Sequence, residues 1–148
     1  MNQTAVIQTN KGAIEIELYP QDAPKTVENF TTLSKQGYYN NLTFHRVVPG
    51  FVIQGGDPNG NGTGGQSIYG AKFEDELNPE TTSYKNGYKE GVVAMANSGP
   101  NTNGSQFFIM LEDNDLPPLY SIFGKVTKGI DVVKQIAVGD TMTAIDIT

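Results

Sequence analysis

The chain predicts a mainly β fold: a closed eight-stranded antiparallel β-barrel whose open ends are capped by two α-helices. Three observations carry that expectation. Eight short runs are apolar or alternate between apolar and polar residues, which is the period of a strand. Only two stretches repeat their apolar residues at helical spacing, and Gly, Asn and Pro punctuate the rest. Strands and helices show no βαβ rhythm, so the strands pair antiparallel, and closing the sheet on itself removes its exposed edges.

Thr4 to Thr9 and Ala13 to Leu18 flank Asn10-Lys11-Gly12 and read as an opening hairpin. Ile14, Ile16 and Leu18 alternate with Glu15 and Glu17, giving one buried and one wet face. Asp22 is the expected cap of a helix with Pro24 in its first turn, in which Val27, Phe30 and Leu33 recur until Gly37 stops it. Phe44 to Val48 and Phe51 to Gln54, divided by Pro49-Gly50, form a second hairpin with Arg46 on one arm. Gly55 to Gly91 is long, irregular and rich in Gly, Asn, Asp and Ser, a composition of binding loops. Strands resume at Val92 to Ala96, Phe107 to Leu111 and Ile122 to Val126. Ile130 to Ala137 is the second helix, and a last strand carries Ile145 and Ile147.

A length of 148 residues suits one domain spanning 1–148. The net charge of −6 works against phosphate backbones and anionic lipid, so neither nucleic acid nor membrane is an expected partner. The absence of Cys excludes disulfides, thiolate catalysis and thiolate-bound zinc. No apolar run approaches a membrane span, and Met-Asn-Gln-Thr lacks the basic-then-apolar pattern of a leader. The expectation is a cytoplasmic monomer without metal or cofactor.

Gly60-Asn61-Gly62-Thr63-Gly64-Gly65 matches the dinucleotide fingerprint literally, but it neither follows a strand directly nor opens a helix, and it reads as a turn-rich surface loop. His45, the only His, lacks a nucleophile-elbow partner and reads as a mostly buried ring satisfied by backbone. Asp57, Glu74, Asp75 and Glu76 have no metal-ligand spacing and read as a solvated acidic surface. Arg46 beside apolar rings fits either a structural ion pair or a functional cation. Phe107 and Phe108 are consecutive on one strand, so they point to opposite faces and only one of them lies in the core.

Two segments hold most of this chemistry. Phe44 to Asp57 (FHRVVPGFVIQGGD) and Met95 to Ile109 (MANSGPNTNGSQFFI) closely resemble the signatures of the cyclophilin-type peptidyl-prolyl cis-trans isomerases. Pro24 to Phe30, Gly62 to Gly70, Phe73 to Glu76 and Phe123 to Val126 agree with the same family, so the resemblance covers most of the chain. It implies the eight-stranded barrel, isomerase activity on Xaa-Pro bonds in peptides and unfolded protein clients, and a groove on one outer face. By position, Arg46 is the implied catalytic donor, oriented by Gln54. Phe51, Val52, Phe108 and Leu116 line the implied proline pocket, and the Asn97 backbone holds the residue before the proline. Ala96, Gln106 and Thr63 border the neighbouring subsite, and Tyr120 falls where many members place a His. Where many members have a Trp, this chain reads Asp115-Leu116-Pro117-Pro118-Leu119-Tyr120, and it contains no Trp at all. That Trp helps hold the inhibitor cyclosporin, so weak cyclosporin binding is expected.

Overall fold

The structure, a computed structural model, describes residues 3–148. β1 (Thr4–Thr9) and β2 (Gly12–Leu18) pair antiparallel with Ile7 opposite Ile14, and the alternation in β2 buries Ile14, Ile16 and Leu18 completely. α1 (Pro24–Lys35) follows and turns Val27, Phe30 and Leu33 inward. Phe30 packs at 5.0–5.4 Å between ring centroids on Tyr39, Phe107 and Phe123, so the helix plugs one end of the curled sheet.

The remaining elements are β3 (Leu42–Thr43), β4 (Arg46–Val48), β5 (Val52–Gly55), α2 (Thr82–Asn86), β6 (Val92–Met95), β7 (Phe107–Met110), β8 (Ile122–Lys128), α3 (Ile130–Val133) and β9 (Thr141–Ile147). The sheet runs β3-β9-β1-β2-β8-β6-β7-β5-β4, so it has nine strands where eight were expected, and it is curled and open, not closed by a ladder. The difference lies at Phe44. The expected strand Phe44 to Val48 is split, because the Phe44 N–H donates to Asp140 O at 2.8 Å and its C=O accepts from Gly139, while Arg46–Val48 pair with β5. The two edge strands β3 and β4 are thus joined only by Phe44-His45, and the buried Phe44 ring fills the seam. Gly55 permits this approach: a Cβ there would lie 2.7 Å from the Thr43 carbonyl and 2.8 Å from Met142 Cε.

The helices also differ from expectation. Asp22 does not cap α1; Ala23 holds the cap position without a side-chain bond, and Glu76 accepts the Lys25 and Thr26 N–H groups at 3.2 and 2.6 Å. Asp22 instead accepts the Ser83 N–H and hydroxyl in the first turn of α2, a helix within the stretch read as irregular. Unpaired N–H groups at a helix start take whichever acceptor the tertiary fold delivers, and here each carboxylate serves the other's neighbourhood. α3 stops at Val133, although Ile136 still packs into the core.

The four acidic residues divide: Glu74 is exposed, as a solvated surface requires, whereas Asp75 and Glu76 are half-buried and Asp57 lies inside. Glu74 pairs with Lys25, Asp75 exchanges hydrogen bonds with Asn101, and Asp57 is almost fully buried. Among the described residues, no helix is long and apolar enough to cross a membrane, and no group of three or more His, Cys, Asp and Glu could hold a metal ion.

Candidate active site

The pleat of β5 and β7 sorts side chains onto two sides of the sheet. Ile53, Phe107 and Ile109 enter the barrel interior, whereas Val52, Phe108 and Met110 face a second apolar cluster outside it. Phe51, Leu116 and Tyr120 complete that outer cluster, leaving a hollow of about 190 Å³. Its wall is Phe51, Val52, Phe108, Leu116 and Tyr120, and its rim is Arg46, Gln54, Ala96 and Asn97.

Arg46 stands at the rim because register pairs it with Gln54, and Gln54 with Phe108 on the next strand. Its Nη1 donates to Gln54 Oε1 at 3.4 Å. Arg46 is exposed and forms no salt bridge among the described residues, so the structural ion pair weighed from the sequence is absent. Gln54 Nε2 donates to Gln106 Oε1 at 3.1 Å, and Gln106 Nε2 to the Gly64 carbonyl at 2.8 Å. A row of amides therefore links the guanidinium to the glycine-rich loop.

That loop borders a second, more polar hollow of about 160 Å³, which shares Gln54, Ala96 and Asn97 with the first and adds Thr63, Gln106 and Lys72. Every site residue expected from the sequence lines one of these two adjoining hollows. The glycine loop wraps the chain's own carboxylate: Asp57 accepts the backbone N–H groups of Asn59, Asn61 and Gly62 at 2.6–3.1 Å. Burial pushes the Asp57 carboxyl up, but these N–H donors together with that of Gly64 outweigh it, and the group ionises below the usual carboxylate range. The concave run of amides that resembles a phosphate cradle is already filled.

His45 differs from its expected role. It is only partly buried, and its Nδ1 is enclosed without a hydrogen-bond partner instead of meeting backbone. Burial lowers its pKa; Asp57 opposes that effect and Arg46 adds to it.

Sequence reasoning missed Tyr88. Its hydroxyl donates to the Tyr120 carbonyl at 2.7 Å and accepts the Tyr120 N–H at 3.1 Å, holding both backbone groups of a pocket residue. The Tyr120 ring then stands edge-on to Phe108, 5.4 Å between centroids at 87°. Asn97 Nδ2 fixes the same loop by donating to the Leu119 carbonyl at 3.0 Å. A lone Tyr between a short helix and a strand carries no local pattern that could have revealed this.

The family described as "Cyclophilin type peptidyl-prolyl cis-trans isomerase/CLD" matches residues 4–147. The chain belongs to that family. It is accordingly an enzyme, a cyclophilin-type isomerase of Xaa-Pro bonds. Peptidyl-prolyl cis-trans isomerase-like 1 of Aspergillus fumigatus is 49% identical over 145 residues, covering 95% of this chain and 86% of the relative. A crystal structure of a cyclophilin-type isomerase from Cryptosporidium parvum superimposes with a TM-score of 0.87 at 40% identity, covering 100% of this chain and 98% of that one. A second crystal structure of that protein, obtained in the presence of the dipeptide Ala-Pro, gives a TM-score of 0.85 at 40% identity over 98% of each chain.

Proposed function

We propose that Arg46 is the catalytic hydrogen-bond donor of this isomerase and that the apolar hollow beside it grips the proline ring of extended or unfolded client chains. One observation supports this above others: an exposed guanidinium without a carboxylate partner sits at the rim of a hollow walled by Phe51, Val52, Phe108, Leu116 and Tyr120. The Ala-Pro dipeptide present with the Cryptosporidium relative points to the same substrate class.

Rotation about an Xaa-Pro bond crosses a barrier of roughly 18–20 kcal/mol, because amide resonance resists twisting. No covalent bond breaks. In the twisted state the prolyl nitrogen recovers a localised lone pair, and a guanidinium that donates to it binds this state more tightly than the planar one. Such a charge-assisted bond contributes about 1.5–3 kcal/mol, one to two decades in rate. The apolar wall adds to this, since the twisted amide is less polar than the planar one and loses less on leaving water. A ring held by Phe51, Phe108 and Leu116 also lets the acyl side turn against a fixed partner. The backbone at Asn97 holds the residue before the proline, and Ala96, Gln106 and Thr63 meet the residue before that one in the second hollow.

Exchange NMR on a short Xaa-Pro peptide tests this reading. Arg46→Ala lowers catalysed isomerisation at least about tenfold, equivalent to ~1.4 kcal/mol, while peptide binding weakens modestly. Unchanged exchange would remove Arg46 from the mechanism.

A further inference from the structure

The chain contains four Asn-Gly steps, at Asn59, Asn61, Asn86 and Asn103. Such a step is chemically weak in general, because the unhindered glycine nitrogen can attack the side-chain carbonyl carbon of the preceding Asn. The surroundings of the four differ.

At Asn61 both reacting groups are engaged in the sense that favours attack. The Asn61 Oδ1 accepts two hydrogen bonds, from the Thr63 N–H at 3.1 Å and the Thr63 hydroxyl at 2.5 Å. That oxygen gains negative charge when its carbon becomes tetrahedral, so two donors already stand where an oxyanion forms. The attacking nitrogen, that of Gly62, donates its hydrogen to Asp57 Oδ2 at 2.6 Å, and a carboxylate at that distance is placed to receive the proton. Asn61 and Gly62 are exposed, and the Asn61 Nδ2 donates to no acceptor among the described residues, so the leaving nitrogen is open to solvent.

None of the other three has this arrangement. The Gly60 N–H donates to the Asp57 backbone carbonyl, and Asn59 Oδ1 accepts nothing among the described residues. The Gly87 N–H closes the end of α2 on the Ser83 carbonyl. Asn103 is fully buried, with its Nδ2 held by Phe73 and Asp75 and its Oδ1 without any donor.

We propose that Asn61 is a site of self-modification, deamidating through a cyclic imide with Gly62 under the assistance of Asp57 and Thr63. The Gly62 N–Cγ bond forms as the Gly62 proton passes to Asp57, and the Asn61 oxyanion rests on the two Thr63 donors. Collapse breaks the Cγ–Nδ2 bond, and that nitrogen leaves as ammonia with the proton Asp57 had taken. Water then opens the imide at either carbonyl, giving Asp or its β-linked isomer at position 61; one water is consumed, one ammonia released, and nothing is oxidised or reduced.

The position gives the reaction a consequence. A carboxylate at 61 adds a negative charge to the loop whose backbone N–H groups hold Asp57, and the β-linked form inserts a methylene into the backbone three residues before Gly64, whose carbonyl anchors Gln106. The modification therefore alters the wall of the second hollow. Its rate does not depend on isomerase activity, so its test is independent of the role given to Arg46.

The full chain, incubated at neutral pH and body temperature and followed by peptide mapping with mass spectrometry, reports conversion at each Asn-Gly step. Asn61 is expected to convert fastest of the four. Thr63→Val, an exposed substitution that removes the hydroxyl donor, is expected to slow Asn61 by about tenfold, the lower range for loss of one such donor being larger still in enzymes. Asn86 serves as the internal reference, and its rate stays constant while the variant is folded. Conversion at Asn59 or Asn86 as fast as at Asn61, or an Asn61 rate unaltered by Thr63→Val with the Asn86 rate constant, would overturn the proposal.

Discussion

Arg46 and Gln54 stand opposite one another across the β4–β5 pair, and the guanidinium Nη1 donates to the Gln54 side-chain oxygen at 3.4 Å. Gln54 in turn donates to Gln106, and Gln106 to the Gly64 carbonyl, so every amide in the row has its oxygen and nitrogen assigned by its neighbours. The Arg46 side chain has no carboxylate to hold it, and this row is what directs it toward the apolar hollow.

Gln54→Ala removes the acceptor without touching the apolar wall. Catalysed exchange is expected to fall about fivefold, corresponding to ~1 kcal/mol for one hydrogen bond, with peptide affinity nearly unchanged. Exchange NMR and calorimetric titration of the same peptide separate the two quantities. A matched loss of affinity would show that Gln54 contributes to binding and not to aiming the cation.

Tyr88→Phe deletes one hydroxyl that serves two backbone groups of Tyr120. Leaving them unpaired costs about 1–3 kcal/mol, read as a lowered midpoint in denaturant with an unaltered slope. Because Tyr120 packs edge-on against Phe108, the aromatic resonances of Phe108 shift as well. An unchanged midpoint would mean that solvent replaces the hydroxyl at no cost.

Asp140 ties the β1–β2 turn to the start of β9. Hydrogen bonds from Asn10, then from the Ala137 N–H and Lys11, lower its pKa from 3.8 to about 2. A carboxyl depressed on folding contributes stability that is fully present above 3.8 and is lost as pH falls through about 2. Melting temperature should therefore drop across that window in the wild type. In Asp140→Asn the drop is shallower and the melting temperature at neutral pH is lower; parallel curves would count against this role.

Asp115 is exposed at the position where the family resemblance implies a Trp. Asp115→Trp is expected to tighten cyclosporin binding at least about tenfold, ~1.4 kcal/mol, with isomerase activity retained. Titration calorimetry measures it, and an affinity equal to the wild type would place the determinant elsewhere in the loop.

The order of amino acids alone determined most of the strands and the parting of side chains between core and site. Alternation in β2 buried Ile14, Ile16 and Leu18, Pro49-Gly50 set the hairpin that pairs Arg46 with Gln54, and two consecutive phenylalanines on a pleated strand had to part to opposite faces. These are short-range consequences of backbone geometry, readable within a few residues. Tertiary structure decided the seam at Phe44, the exchange of caps between Asp22 and Glu76, the folding of the glycine loop around Asp57 and the grip of Tyr88 on Tyr120. Each satisfies a buried polar group or an open edge with whatever the folded chain brings near, from up to dozens of residues away, and such a choice is made by shape and leaves no period in the sequence.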